Sequence, residues 1–576
     1  MRKSIFFAAA LAVTGVAAVW FWTTRGGGSS FAGERLVPAD AVFYAAVPDV
    51  RHSALRFPKT ALGRLWAEPE VAAFAEKPID VLIGRERIEM VEEIFERLKP
   101  SQIFFAMSQP AGVDGYDRAS ASMPFRFGSA IAGFQYRGGA ADIEECIESL
   151  CRSVAPDLPA HAERLREDYH GVTVNAFPVR PENFNYLYWA ATRGWGFVAT
   201  SRMDVVDALD RLHGRAAGPS LADNAEFRDA MGRLDPRADF VAFVRNRNVV
   251  DWLSSDNLCA PKGFRLPPTL AERLRSVQAL AYSLKFDGPD IRDTLFASTP
   301  GKDPAIDDGD SAPLALRHGG MNLTSDRTLG YFDFHVQPKR FPQIFETLAA
   351  RNVIDPALLD IATRLPEALD GEISAIVSWT GDGMPRLVFT AQLADPEAVK
   401  TMIETAIKPL TAVEASQRGN VQFYHFPQEG SLYVNPALAI DGNRLVASLS
   451  QEALMLTLAP PLLSPELRDC EVFEPAREAF QTADEGFAFI DARGLVERGL
   501  PLLRQLIQFR TPFVSRADGI IDPGKIPSTE TLAAHMRPWI YAQSRTSEGI
   551  IIRSSGTVPV TPVAIALAVR SAERVP

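Results

Sequence analysis

Short segments in which apolar and polar residues alternate recur in the same order in the two halves of the chain. The first half opens with an apolar strand, Ala41 to Val47, followed by a helix around Phe57 to Trp66. The second half opens with Leu329 to Val336 and a helix around Phe341 to Ala350. Alternation with a period of two predicts a strand, and apolar spacings of three and four predict a helix. Both halves therefore begin as strand, turn and amphipathic helix.

Each half continues with a β-hairpin and then another helix. In the second half Ile373 to Trp379 and Leu387 to Leu393 alternate on either side of a Gly-Asp-Gly turn. In the first half the matching strands are Ile103 to Met107 and Phe125 to Tyr136, which are joined by a longer connection. Asp395, followed by proline, predicts the start of the next helix in the second half. Apolar residues recur at helical spacing in both of these helices: Ile143, Cys146, Ile147 and Leu150, and Val399, Met402, Ile403 and Ala406.

The two halves match best in their later segments. Trp195 to Ser201 corresponds to Asn443 to Ser450, a strand followed by a helix cap. Val241 to Arg247 corresponds to Phe487 to Arg493, which places Arg247 and Arg493 at matching positions. The strands Ala279 to Phe286 and Leu295 to Ser298 correspond to Trp539 to Gln543 and Ile550 to Ser554.

Frequent hairpins and irregularly alternating helices predict an α+β fold. We expect a tandem duplication of one domain, each copy with an antiparallel sheet and helices packed on one face. Parallel βαβ winding is the alternative. The predicted organisation is a signal anchor at 1–25, a Gly/Ser tether at 26–35, a first repeat at 36–300, an acidic, glycine-rich linker at 301–325 and a second repeat at 326–576. The irregular stretch from Thr511 to Thr529 has no counterpart in the first half.

The N-terminus predicts export. Two basic residues precede an uncharged run from Ile5 to Trp22, which is long enough, at the lower limit, to span a bilayer as a helix. Trp20, Phe21 and Trp22 are typical of the aromatic belt of a retained anchor. We therefore expect a single helix in the inner membrane, with the bulk of the chain in the periplasm or outside the cell. Secretion after cleavage of the signal is the alternative.

Charge and composition narrow the classes of partner. With 576 residues, of which 47 % are hydrophobic, the chain is expected to fold into two to four domains. Its formal net charge of −11 argues against nucleic-acid binding, which needs a basic surface. The four cysteines have neither zinc spacing nor a CxxC pattern, and we expect them to be free and mostly buried.

No motif for catalysis, a metal or a cofactor stands out. The eight histidines contain no HExxH, and no Gly-x-Ser-x-Gly is present. His335 and His425 lie in predicted strands of the second half, at places where the first half has no histidine. Arg247 and Arg493 are candidates for paired anion-binding positions, or else each ties down a loop or a helix end.

Three segments near the start of the first repeat resemble an uncharacterised family. They are Leu36-Val37-Pro38-Ala39-Asp40-Ala41-Val42-Phe43-Tyr44, Thr60 to Trp66, and Pro69-Glu70-Val71. The family comprises exported, membrane-anchored bacterial proteins with a Leu-Pro-Ala-Asp-type first strand, a domain of unknown function. The resemblance implies location and fold type, and it supplies no site residues.

These features predict an envelope-anchored binding or scaffolding module without catalytic activity. Its expected contacts are the membrane, through the N-terminal helix, and another envelope protein or a small apolar ligand. One alternative is an envelope hydrolase with its site between the repeats. Another is a periplasmic chaperone or lipid carrier, which would present a large concave apolar surface.

Overall fold

The described part of the chain begins after the predicted anchor. The structure, a computed structural model, describes residues 33–82, 84–108, 129–154, 165–178, 186–254, 274–299, 316–335, 364–379, 385–408, 412–427, 435–458, 464–508 and 522–562. The anchor residues Ile5, Trp20, Phe21 and Trp22 lie outside these ranges, as does the predicted helix at 341–350. Within the described ranges no helix combines the length and the apolar character needed to cross a membrane.

The chain divides into two compact units. The first contains Met1–Gly309, Pro512–Pro527 and Thr546–Ile551, and the second contains Asp310–Thr511, Ser528–Arg545 and Ile552–Pro576. The boundary falls within the predicted linker, but the linker does not extend to residue 325, because Leu316 and Met321 are buried in the core of the second unit. The predicted tether is also too long, because Gly33 is already buried in a short helix at the start of the first unit.

Within the described residues, the first unit contains ten strands in one antiparallel order. They are β1 (Phe43–Val47), β2 (Gln102–Met107), β3 (Ala130–Gln135), β4 (Leu165–Tyr169), β5 (Val172–Pro178), β6 (Tyr186–Thr192), β7 (Trp195–Ala199), β8 (Phe240–Val244), β9 (Ala279–Asp287) and β10 (Asp290–Ser298). Neighbouring strands follow the order β10-β9-β8-β1-β2-β3-β7-β6-β5-β4. The predicted hairpin of the first half is β2 and β3. The structure gives β3 from Ala130, and residues 125–128 of the predicted strand lie outside the described ranges.

The second unit has the same strand order. Its strands are β11 (Thr328–His335), β12 (Leu369–Ser378), β13 (Arg386–Leu393), β14 (Glu414–Arg418), β15 (Val421–His425), β16 (Ala437–Asp441), β17 (Arg444–Ser448), β18 (Gly486–Ile490), β19 (Trp539–Thr546) and β20 (Gly549–Gly556). The last residue of β19 and the first three of β20 belong to the first unit. They follow the order β20-β19-β18-β11-β12-β13-β17-β16-β15-β14. The antiparallel prediction is therefore confirmed, and parallel βαβ winding is wrong.

Helices connect the strands in both units. In the first unit they are α1 (Val50–Arg56), α2 (Ala61–Trp66), α3 (Pro69–Leu82), α4 (Arg85–Leu98), α5 (Ala140–Val154), α6 (Arg202–Leu212), α7 (Ala225–Met231) and α8 (Asn246–Ser254). In the second unit they are α9 (Pro396–Met402), α10 (Gln451–Leu458), α11 (Arg477–Thr482), α12 (Ala492–Gln508) and α13 (Thr529–His535). Short 3-10 helices span Gly33–Leu36, Phe57–Lys59, Leu221–Asp223, Met321–Leu323, Leu365–Ala368, Leu467–Asp469, Glu471–Ala476 and Pro523–Lys525, and a π-helical turn, Ile403–Ile407, follows α9.

Side-chain caps explain where several helices begin. Asp395 accepts a hydrogen bond from the backbone N–H of Ala398 at 3.0 Å, as its position before proline predicts. Ser201 accepts one from Met203 at 3.2 Å. The helix predicted over Phe57 to Trp66 is a 3-10 turn followed by α2, which begins at Ala61 because Thr60 accepts a hydrogen bond from the backbone N–H of Gly63; a separate helix, α1, precedes it and is capped by Asp49.

Helices cover both faces of each sheet, so the prediction of helices on one face is wrong. In the first unit Ala190 packs into one core with α6, whereas its neighbour Trp189 packs into a second core with α5 on the opposite face. In the second unit Val446 shares a core with α10, whereas Leu445 packs against the core of α9. Successive residues of a strand point to opposite faces, so each such pair marks a sheet with two covered sides.

Candidate functional site

One face of the second unit's sheet is lined by uncharged, apolar side chains beyond the reach of α9. Register places Phe332, Ala375, Phe389 and Ala447 in one row across β11, β12, β13 and β17. Val377 and Leu387 pair in the next row, and Leu449 follows the end of β17. We call these seven residues, Phe332, Ala375, Val377, Leu387, Phe389, Ala447 and Leu449, the open face.

Two large side chains of the open face are exposed and the other five are half-buried, whereas their neighbours on the same strands are buried. Phe389 is 44 % exposed and Leu449 is 56 % exposed, whereas Val388 and Val446, which point to the other side of the sheet, are buried in the core. The row on the other side of Phe389, which contains Ile373, packs under α9. Exposed large apolar groups that are grouped together mark an interaction surface more often than single ones do.

The corresponding row of the first unit differs in exposure at one position, where half-buried Ala132 stands in place of exposed Phe389. The row contains Ala45, Phe105, Ala132 and Val198, and all four side chains are half-buried. Large and small residues are exchanged at three of these positions, because Phe332, Ala375 and Phe389 stand in the second unit where Ala45, Phe105 and Ala132 stand in the first. The two faces therefore carry their large side chains at different positions, although the strand order is the same.

Helix α12 lies across the end of the open face. A Cβ at Gly494 would meet the side chain of Leu329 at 2.8 Å, and one at Gly499 would meet the ring of Trp379 at 3.7 Å. Leu329 precedes β11 residue Gly330, and Trp379 follows β12. Arg498 lies one turn beyond Gly494 on the same side of the helix. Its Nη1 is buried and has no hydrogen-bond partner.

The opposite face of the same strands carries a buried polar network. His318 Nδ1 lies 2.8 Å from Oδ2 of Asp333, and its Nε2 lies 3.0 Å from the carbonyl oxygen of Phe480. Tyr331 and Ser374 donate hydroxyl hydrogen bonds to the same carboxylate at 3.0 and 3.1 Å. Both ring nitrogens of His318 face acceptors, so the imidazole has no nitrogen left to offer a substrate.

The first unit has no such network at the matching positions. Tyr44 pairs with Ala106 as Tyr331 pairs with Ile376, which aligns Ala46 with Asp333 and Phe104 with Ser374. Tyr44 stacks on Phe104, and its hydroxyl has no hydrogen-bond partner. Burial raises the pKa of Tyr44 well above its usual value, with a further contribution from Glu34. An aromatic stack thus replaces the polar network.

A small, mostly apolar cavity lies in the first unit. It has a volume of about 20 Å³, and Ser108, Ser129 and Asp204 supply its polar lining. One oxygen of Asp204 is buried without a partner. Burial raises the pKa of Asp204, and a hydrogen bond with Ser129 opposes the shift only in part. A cavity of this size holds one water molecule and is too small for an organic ligand.

The two arginines predicted as anion sites are both exposed and lie in different units. Arg247 is in the first turn of α8, and Arg493 is in the first turn of α12. Nε of Arg493 donates to Glu497 on the same helix at 2.9 Å. Neither arginine ties down a loop through a side-chain contact between described residues, and their anion binding stays a prediction.

The predicted histidines are part of the framework of the second unit. His425 Nδ1 is 3.4 Å from Glu414 and its Nε2 is 3.1 Å from Asn435, whereas His335 ends β11 with its backbone N–H bound to Glu485. Cys146 is free and buried, and Cys470 is free and half-buried. Cys259 lies outside the described residues.

Sequence reasoning missed His318, Arg498 and the open face. His318 lies within the stretch interpreted as a linker, and nothing in the local sequence indicates its contact with Asp333. The apolar alternation of β12 and β13 contains the open face, but alternation alone does not show which rows a helix covers. Arg498 has no signal, because its lack of a partner is a property of the folded chain.

Comparisons with known proteins give no family for the chain. It matches no family model and no curated protein. Crystal structures of TP0453 are among the solved structures it matches. Crystal form IV is 10 % identical with a TM-score of 0.26, and the match covers 46 % of this chain and 79 % of that chain. Crystal form III is 10 % identical with a TM-score of 0.25, and the match covers 49 % of this chain and 85 % of that chain. Crystal form I is 11 % identical with a TM-score of 0.23, and the match covers 47 % of this chain and 79 % of that chain.

Proposed function

We propose that the protein is an exported, membrane-tethered binding module without catalytic activity, and that the open face binds an apolar partner. The observation that carries the proposal is the exposure of Phe389 and Leu449 within an uncharged patch of seven side chains. Leaving these groups in water costs about 25 cal/mol for each Å² of apolar surface, and a bound apolar group recovers that free energy. The apolar run from Ile5 to Trp22 supports export and anchoring in the envelope.

A tandem duplication accounts for the architecture. Ten strands in the first unit and ten in the second follow one order, and the matched segments of the sequence fall on equivalent strands. Trp195 to Ser201 and Asn443 to Ser450 each contain a strand followed by a helix cap, as the repetition predicts. Binding is then assigned to the copy whose sheet face is more exposed.

An envelope hydrolase is the alternative, and the His318 network is its best candidate. It brings a histidine, a carboxylate and a serine together in one unit only. However, Nε2 of His318 is bound to a backbone carbonyl, and the ring stacks against Phe480 with centroids 3.8 Å apart. A general base needs a nitrogen within hydrogen-bond reach of the reacting group. This geometry favours a structural role, and hence the binding module.

The neutral fluorescent probe N-phenyl-1-naphthylamine tests the proposal. The full chain is expected to bind the probe and enhance its emission. Leu449→Ser is expected to weaken binding about fivefold to tenfold, because it removes an apolar contact of about 1–1.5 kcal/mol.

Leu165→Ser is the matched control. Leu165 is also 56 % exposed, but it lies on the edge strand β4 among the exposed residues Arg166, Glu167 and Asp168. The control variant is expected to bind the probe like the unaltered protein. Equal binding by all three proteins would refute the assignment of the site to the open face.

A further inference from the structure

The arrangement of large and small side chains on the open face indicates what shape of ligand fits it. Phe332 on β11 and Phe389 on β13 flank Ala375 on the strand between them. Neighbouring strands are about 4.8 Å apart, so the two aromatic residues are rooted about 10 Å apart with a methyl group as the floor. The ring of Phe332 leans along its strand, because it reaches to 3.0 Å from where a Cβ of Gly330 would lie.

This arrangement forms a groove along β12 that suits one hydrocarbon chain. A chain above Ala375 lies about 5 Å from each flanking row of Cα atoms, which brings it into contact with both aromatic side chains. Val377 continues the floor toward Trp379 at the end of the strand. The groove therefore runs from the edge of α9 to the side of α12.

The backbone of the groove excludes an extended peptide as the ligand. Strands β11, β12, β13 and β17 are each hydrogen-bonded on both sides. No free strand edge is left to pair with an incoming strand, which is how extended peptides add to sheets. The floor and walls also supply no polar side chain to a peptide backbone. A flexible alkyl chain needs neither.

Arg498 supplies a charge at the end of the groove. Helix α12 contacts Leu329 and Trp379 through Gly494 and Gly499, and Arg498 lies on the side of the helix that faces them. Its Nη1 is buried and unpartnered, and no carboxylate of the described residues forms an ion pair with it. Arg498 as a whole is half-buried, but a guanidinium nitrogen that is buried without an acceptor is costly, and an anionic group bound there removes that cost.

We infer that the open face binds a single-chain anionic amphiphile of the fatty-acid type, with the alkyl chain in the groove over Ala375 and the carboxylate at Arg498. This inference rests on the proposed function and names the ligand class of the same site. Different residues contact the alkyl chain and the carboxylate of the ligand, so the contribution of each part to binding can be measured separately.

Displacement of N-phenyl-1-naphthylamine by laurate and by 1-dodecanol, both below their aggregation limits, tests the inference. Laurate is expected to displace the probe at lower concentration than the alcohol. Arg498→Gln is expected to weaken the binding of laurate about tenfold, because a hydrogen bond to a charged group is worth about 1.5 kcal/mol or more. The same variant is expected to bind dodecanol within about twofold of the unaltered protein.

Arg477→Gln is the control, because Arg477 is in the same unit, 49 % exposed and already paired with Glu474. This variant is expected to bind both laurate and dodecanol like the unaltered protein. Equal losses for both ligands in Arg498→Gln, or equal effects of the two arginine variants, would overturn the inference.

A measurement on the unaltered protein covers the case in which Arg498→Gln does not fold. Rising salt concentration is expected to weaken the binding of laurate and to leave the binding of dodecanol unchanged, because only the carboxylate interacts with a charge. Salt-independent displacement by laurate contradicts the role of Arg498. If the probe binds at the open face and neither amphiphile displaces it, the ligand class is wrong while the binding module stands. If Leu449→Ser has no effect, the binding module itself fails.

Discussion

His318 and Asp333 show how a few residues give the two sheets different interiors. In the second unit a fully buried carboxylate accepts hydrogen bonds from Tyr331 and Ser374 and pairs with His318. In the first unit Ala46 and Phe104 fill the equivalent places with apolar groups. A buried charge requires its partners, because a carboxylate left without them has lost its hydration and regained nothing.

His318→Ala is expected to lower the free energy of unfolding by about 3–5 kcal/mol, because it leaves the Asp333 carboxylate buried with one partner missing. His425→Ala is the control. That histidine pairs with the exposed carboxylate of Glu414 at 3.4 Å, and its loss is expected to cost less than about 1 kcal/mol. Scanning calorimetry measures both.

The double variant His318→Leu with Asp333→Ala separates polarity from packing. It imitates the apolar interior of the first unit, and it is expected to melt above His318→Leu alone. A double variant that melts below the single one would mean that the carboxylate stabilises the fold without its histidine.

Helix α9 determines how far the open face extends. Val399 and Ile403 of this segment pack on the same core as Ile373 and Leu445, whereas Phe389 in the next row of the sheet is exposed. Asp395→Ala removes the side-chain cap and is expected to lower the free energy of unfolding by about 1 kcal/mol. Glu397→Ala, in the first turn and 78 % exposed, is the control and is expected to cost less than about 0.5 kcal/mol. Chemical denaturation of the full chain measures both, and equal losses would contradict the cap.

Elements with strong local patterns were predictable from the sequence. Alternating residues located β12 and β13, and Asp395 before proline located the start of α9. The side on which each helix packs was not predictable, because the apolar stripe of a helix fits either face of a sheet. Helix α1 was not predicted, because it has only seven residues and its one local signal is the Asp49 cap. The open face needed both register and helix placement, which are tertiary properties.

The first unit is completed by residues from the far end of the chain. Ile551 is buried in its core, and the N–H of Thr299 donates to the carbonyl of Glu548 at 2.9 Å. Gly549 makes this approach possible, because a Cβ there would lie 2.0 Å from the carbonyl oxygen of Ala297. A sequence divided at its linker gives no hint of this exchange, because both segments have ordinary strand patterns.

Gly549→Ala is therefore expected to loosen the first unit although it lies near the C-terminus. Backbone amides of β10 are expected to exchange faster with deuterium, by about tenfold or more, because a Cβ contact under 3 Å forces the strand to shift. Gly419→Ala is the control, since its φ of 59° is also left-handed but the space around it is open. If both variants change β10 equally, backbone strain rather than the contact is the cause.

The late arrival of residues 546–551 imposes an order on biosynthesis. A ribosome adds about 5–20 residues each second, so the core around Ile551 waits on the order of ten seconds or more after residue 309 has been made. Until then β10 lacks the hydrogen bond that Thr299 makes at its end, and an unfinished sheet invites pairing with other chains. The proposed export would move this interval to the far side of the membrane, because a chain that crosses the membrane unfolded completes neither unit in the cytoplasm.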